Sequence, residues 1–125
     1  MEDEDYEQLA RFTTNLLAAY ETLANLLQRL PIPIEVPRLE EKKQLVALQQ
    51  GVAKAHDALV EMPGLGEEAK YLLQEVLLEW LVACNLGFSI YNNAEQGKRE
   101  GWRLEAMDRS LDRLQRAFTG RKGIL

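Results

Sequence analysis

The stretch Tyr71–Tyr91, YLLQEVLLEWLVACNLGFSIY, decides the fold. Its only charges are Glu75 and Glu79. A helix that is apolar nearly all the way round belongs among other helices, not on a surface. The rest of the chain supplies candidates to surround it. The expected fold is therefore all-α: an antiparallel four-helix bundle with a central, nearly all-apolar third helix.

Upstream, Asp5–Leu30 places Tyr6, Leu9, Thr13, Leu16, Tyr20, Leu23, Leu27 and Leu30 at alternating spacings of three and four, a heptad-like seam. Phe12, Leu17, Ala24 and Leu26 widen it, so this first helix should face more than one neighbour. Its acidic opening suits the positive end of the helix macrodipole. PIPIEVP, residues 31–37, cannot be helical with three prolines so spaced and should run extended. Ile32, Ile34 and Val36 alternate in it, which predicts a strap packed over the end of the bundle; the sharper alternative is a strand offered to a partner. A second helix is expected from near Arg38, with Leu45, Leu48, Val52, Ala55, Leu59 and Met62 as its seam and Gly51 on the other side. The sole histidine, His56, flanks that seam, and no second histidine or cysteine stands near it in sequence, so no metal site is expected.

Pro63–Gly66, PGLG, turns the second helix into the third. The segment LVEMPGLGEEAKYLL, residues 59–73, resembles the hairpin of the helix-hairpin-helix DNA-binding motif, in which an apolar residue precedes PG-apolar-G. The resemblance implies that backbone N–H groups around Gly64 and Gly66 hold a phosphate. The segment departs from that pattern at Lys70, where the motif usually has alanine, and Glu61, Glu67 and Glu68 surround the turn and repel phosphate.

On a helical wheel Glu68, Glu75, Glu79 and Asn93 share one stripe of the third helix with Val82 and Leu86. The first half of the helix thus has a polar outer face and the second half has none, so the strap, the fourth helix or another subunit is expected to cover Val82 and Leu86. Ala83 and Gly87 permit a close helix approach on a neighbouring face. Cys84 reads as a small buried apolar residue, with no base or cation placed to activate it. Glu75 and Glu79 lack the Glu-x-x-His pairs that complete a carboxylate-bridged metal site in a bundle.

NNAEQGKREGW, residues 92–102, should contain a turn, the alternative being one long helix from Gly66 to Phe118. The fourth helix then places Leu104, Met107, Leu111, Leu114 and Phe118 in the core. Arg109, Arg113 and Arg116 fall opposite that seam, with Arg99 and Arg103 nearby. Trp102 either sits among these arginines as an aromatic in a basic face or caps the bundle end. Glu105–Arg109 and Asp112–Arg116 have helical ion-pair spacing. A mobile tail is expected over 120–125.

The totals agree with one ordinary domain spanning residues 1–125: 46% hydrophobic, 28% charged, net charge −5. Charge is uneven. Residues 1–30 carry six acids against Arg11 and Arg29, and residues 96–125 carry eight bases against Glu100, Glu105, Asp108 and Asp112. Overall acidity argues against nucleic-acid binding by the whole surface. The longest uncharged run, between Glu79 and Glu95, falls short of the ~20 residues a spanning helix needs, so no membrane association is expected. One cysteine and an acidic opening, MEDEDYE, suit the cytoplasm.

The function expected from these features is non-enzymatic protein–protein interaction, with a homo-oligomer (a homodimer first) or another helical protein as partner and no cofactor. Its interface residues are Val82, Leu86, Trp102, Arg99, Arg103, Arg109 and Arg113. The alternative is a nucleic-acid-associated protein using Gly64, Gly66, Arg113 and Arg116. A third class, an enzyme or ligand carrier with a pocket near Glu75, Glu79 and Asn85, lacks a nucleophile–base pair.

Overall fold

The computed structural model describes residues 3–38, 45–95 and 101–120. They form four helices and no strand: α1 (Asp3–Gln28), α2 (Leu45–Val60), α3 (Glu67–Glu95) and α4 (Gly101–Gly120). The expected start of α2 near Arg38, Arg99, and the tail beyond Gly120 lie outside the described residues.

α3 is the centre. It packs against α1, α2 and α4, and α1 also packs against α4; the backbones of α1 and α2 do not approach closely. The core gathers the expected seams: Leu9, Leu16, Leu23 and Leu27 of α1, Leu48, Val52 and Leu59 of α2, and Leu104, Met107 and Leu114 of α4. Tyr6 alone leaves the predicted α1 seam for solvent. From α3 come Leu73, Val76, Leu77, Trp80, Ala83, Cys84 and Ile90. The chain reverses between α3 and α4, since the two helices pack side by side and Arg103 reaches back to Ser89. That excludes one continuous helix.

Helix directions follow from the contacts. Trp80 meets Leu16 and Tyr20, whereas Gly87, seven residues further along α3, meets Phe12. α1 and α3 are therefore antiparallel. A Cβ on Gly87 would lie 3.1 Å from the Phe12 ring, so the small residue permits the approach read from the sequence. α2 and α4 each join α3 through a hairpin and also oppose it. Hence α1, α2 and α4 all point one way and α3 points the other.

Two successive helices, α1 and α2, can point the same way only if the connection travels back along the bundle. The proline strap does this. It does not cross the bundle end; it lies along α1. The Ile34 N–H donates to the Leu27 carbonyl at 3.1 Å, satisfying a carbonyl of the last α1 turn, and Gln28 Nε2 donates to the Ile34 carbonyl. Three residues on, the Pro37 carbonyl accepts from Tyr20 Oη, seven residues back in α1. Three extended residues at ~3.3 Å each match seven helical ones at ~1.5 Å. Ile34 and Val36 pack against the core while Ile32 is exposed.

The strap fills the space between α1 and α2. Its Pro37 ring presses on Gly51, where an added Cβ would lie 2.5 Å from Pro37 Cδ. Gly51 is thus on the strap side of α2 and is a packing requirement, not a mere weakness. The α2–α3 turn closes the far end: Gly64 has φ 81° and sits beside Pro31. A Pro-Gly pair with positive φ at glycine fits a type II turn.

α3 is also long and apolar enough to cross a membrane by length and composition, with mean hydropathy 1.3 over an 18-residue window within Glu67–Asn93. In the bundle, 39% of that window is buried, and its exposed part includes Glu75 and Asn85.

Two outcomes follow. Gly51→Ala, which in a free helix would gain about 1 kcal/mol, should instead destabilise the protein by roughly 1–3 kcal/mol through overpacking against Pro37; a urea titration that finds the variant more stable would contradict the strap's position. Burial pushes the Tyr20 hydroxyl from 10.0 to about 12 and the Cys84 thiol from 9.0 to about 12. Above those ordinary values the unfolded chain releases protons that the folded chain holds. The contribution of these two groups to stability should therefore be fully present below pH 9.0 and be lost toward pH 12. The urea midpoint of a Tyr20→Phe, Cys84→Ala variant should fall less over that window than that of the wild type.

Candidate functional site

The outer face of α3 is the side that no described element covers. Eight positions make it up: Glu68, Tyr71, Glu75, Leu78, Val82, Asn85, Ser89 and Asn92. Their spacing alternates three and four throughout. All are exposed except Ser89, which is half-buried. Three are large apolar residues, with Tyr71 67%, Leu78 46% and Val82 50% exposed.

This row corrects the sequence reading of α3. The stripe expected through Glu79 and Asn93 is rotated about the axis. Glu79 and Asn93 are half-buried, and Asn93 Nδ2 is a buried donor with no hydrogen-bond partner among the described residues. The first half of α3 is not purely polar outside, because Tyr71 and Leu78 stand there. Val82 lies on the exposed row as expected. Leu86 is half-buried at its edge and packs against the core. A signal for the true row was present. The inner ladder is Leu73, Val76, Trp80, Ala83, Gly87 and Ile90, all buried except the half-buried Gly87, and each outer residue from Glu75 to Asn92 stands two positions further on. Two residues turn about 200° round a helix, to the opposite face.

The Trp102 feature falls at the start of α4. Trp102 is 59% exposed and belongs to the first helical turn. The Arg103 guanidinium stacks on its ring, 4.5 Å from the centroid, and Arg103 Nη1 donates to Ser89 Oγ at 2.6 Å. The pair is thereby fastened to the edge of the α3 outer row. The other arginines are separate from it. Arg109 pairs with Glu105 at 2.9 Å and Arg116 with Asp112 at 2.5 Å, the helical pairs expected from spacing. Arg113 is exposed on the same outer side of α4.

At the PGLG turn Gly66 stands in open space, and the Lys70 N–H donates to its carbonyl, opening α3. Lys70 Nζ donates to the Val60 carbonyl at 3.2 Å. The departure from the helix-hairpin-helix pattern therefore has a local role: a cation closes the C-terminus of α2. Glu61, Glu67 and Glu68 are exposed around the turn.

The chemically reactive candidates are dispersed. Cys84 is fully buried, and burial raises its thiol to about 12, which keeps it protonated. His56 Nδ1 lies 3.4 Å from Asp57 Oδ1 on α2. Glu75 and Asn85 are on the outer surface, and among the described residues no group of three metal-ligating side chains comes together. A cleft of about 600 Å³ separates α1 from the strap, lined by Tyr20, Glu21, Asn25, Gln28, Glu35 and Arg38. Its lining holds no nucleophile–base pair.

Compared with known proteins, the chain matches no family, no curated protein and no solved structure.

The two tryptophans occupy opposite environments, Trp80 buried with its indole N–H bonded and Trp102 exposed. Acrylamide should quench only part of the emission. Trp102→Phe should remove the accessible component and leave a blue-shifted, resistant one. Efficient quenching of that variant would contradict the burial of Trp80.

Proposed function

We propose that the protein is a non-enzymatic helical-bundle interaction protein that self-associates through the outer face of α3. The observation that carries this reading is the row of exposed apolar side chains on the central helix, Tyr71, Leu78 and Val82, bordered by Leu86. A lone exposed leucine needs no explanation. Three exposed apolar side chains on one face of the central helix, with Leu78 and Val82 on adjacent turns, do, because clustered exposed apolar surface marks interaction sites. Trp102 and Arg103 border the same face and belong to the proposed interface; Arg109 and Arg113 lie further along α4, on the same stripe as Trp102. Cys84, the most nucleophilic side chain type in the chain, is buried and protonated, which supports a binding role over a catalytic one.

Light scattering on a sizing column tests the reading. The wild type should show a concentration-dependent mass above 14.3 kDa. Val82→Asp should return it to the monomer mass with unchanged circular dichroism, since valine and aspartate differ little in helix propensity and the site is exposed. A wild type that is monomeric at every concentration, or an oligomer untouched by Val82→Asp, would refute it.

A further inference from the structure

We infer that the outer row of α3 is self-complementary about a two-fold axis at residue 80, and that its occupant is a second copy of this chain lying antiparallel across it. The inference rests on the self-association proposed above and adds its geometry.

The row reads Glu68, Tyr71, Glu75, Leu78, Val82, Asn85, Ser89, Asn92. Its spacing is that of a heptad seam, the pattern by which two helices pack along their length. Reverse a second copy and centre both on residue 80. Leu78 then falls opposite Val82 of the second copy, and Glu75 opposite Asn85. Glu68 falls opposite Asn92, and Tyr71 opposite Ser89. Apolar meets apolar at the centre. On either side a carboxylate acceptor meets an amide that donates to it. The two-fold axis makes every contact twice, as an isologous interface requires.

Other arrangements of the same row lose this match. A parallel pair sets Glu68 and Glu75 against their own copies, and like charges directly opposed are destabilising. Sliding the antiparallel copy by one heptad in one direction puts Glu75 opposite Leu78. Sliding it in the other puts Val82 opposite Asn85. Each slip buries a polar group against an apolar one and separates Leu78 from Val82.

Charge outside the row points the same way. Glu67, Glu68 and Glu75 are exposed on the first half of α3, while the second half has Arg103 fastened at Ser89. Antiparallel pairing brings the acidic half of one copy to the arginine end of the other. Tyr71 of the second copy arrives opposite Ser89, beside the Arg103 guanidinium already stacked on Trp102. A second aromatic ring there extends the cation–π contact. Leu86, at the edge of the row, lies where it can cover the central pair.

Cross-linking tests the register. Leu78→Cys and Val82→Cys place thiols on exposed positions, and native Cys84 is buried, so the wild type serves as an unreactive control. Leu78→Cys chains carrying an affinity tag are mixed with untagged Val82→Cys chains and mildly oxidised. Mixed disulfides should exceed either homodisulfide several-fold. Homodisulfides forming as readily as mixed ones, or a dimer by light scattering that cross-links at neither site, would overturn the register while leaving self-association standing. A wild type monomeric by light scattering would overturn both. A charge pair gives an independent check: Asn85→Glu should weaken the dimer at low salt by facing Glu75, and adding Glu75→Lys should restore it. No restoration would count against the pairing.

Discussion

The indole N–H of Trp80 sets the register of the molecule. Trp80 is fully buried, and its Nε1 donates to the Leu16 carbonyl in the middle of α1 at 3.0 Å. A buried donor left without an acceptor costs about 1–3 kcal/mol. Leucines would tolerate a slide of α1 along α3; this bond does not. One turn further along α1, the Tyr20 ring tilts against the indole with centroids 5.4 Å apart. Its hydroxyl must also find an acceptor, and it finds the Pro37 carbonyl. Pro37 in turn rests on Gly51. A single chain of contacts therefore runs from α3 to α1, to the strap, to α2. Each aromatic link is fixed by a polar atom that burial does not allow to stay unpaired.

From this follows the unusual arrangement of three helices pointing one way round a fourth. A short α1–α2 loop would have made the first two helices antiparallel neighbours. The strap instead carries the chain back along α1 to the level of Tyr20 and lies between α1 and α2, which otherwise share only the core around α3. α3 opposes all three neighbours, which sets its macrodipole favourably against each. The arrangement surrounds α3 on three sides and leaves its fourth side to solvent.

Much of this was legible from residue spacing. The seams of α1, α2 and α4 are strong three-four patterns, and the structure buries nearly all of them. PGLG announced its turn through the backbone freedom of Gly64. What spacing did not reveal was the course of the strap and the purpose of Gly51. Both depend on a contact between Pro37 and Gly51, and no local pattern encodes which face of a helix an extended segment will touch. The outer row of α3 was half-seen. Val82 lies on it, but Tyr71 and Leu78 were missed, because in a helix this apolar the wheel offers little contrast between faces. Trp80 removes the ambiguity: once its indole is known to point inward, the exposed row stands opposite it.

The two ladders of α3 differ in a way that bears on how any association works. The inner one is Leu, Val, Trp, Ala, Gly and Ile, and it is closed by three helices. The outer one alternates apolar residues with Glu, Asn and Ser. The inner ladder is thus enclosed within one chain, by α1, α2 and α4. At roughly 25 cal/mol per Å² the few exposed apolar side chains of the outer row contribute only a few kcal/mol, against an association cost on the order of 4–15 kcal/mol. On the proposed interface, specificity then comes from the pairing of carboxylates with amides and affinity from a small apolar centre. Such a surface suits reversible exchange between folded monomers better than an obligate dimer, whose seam would be apolar throughout.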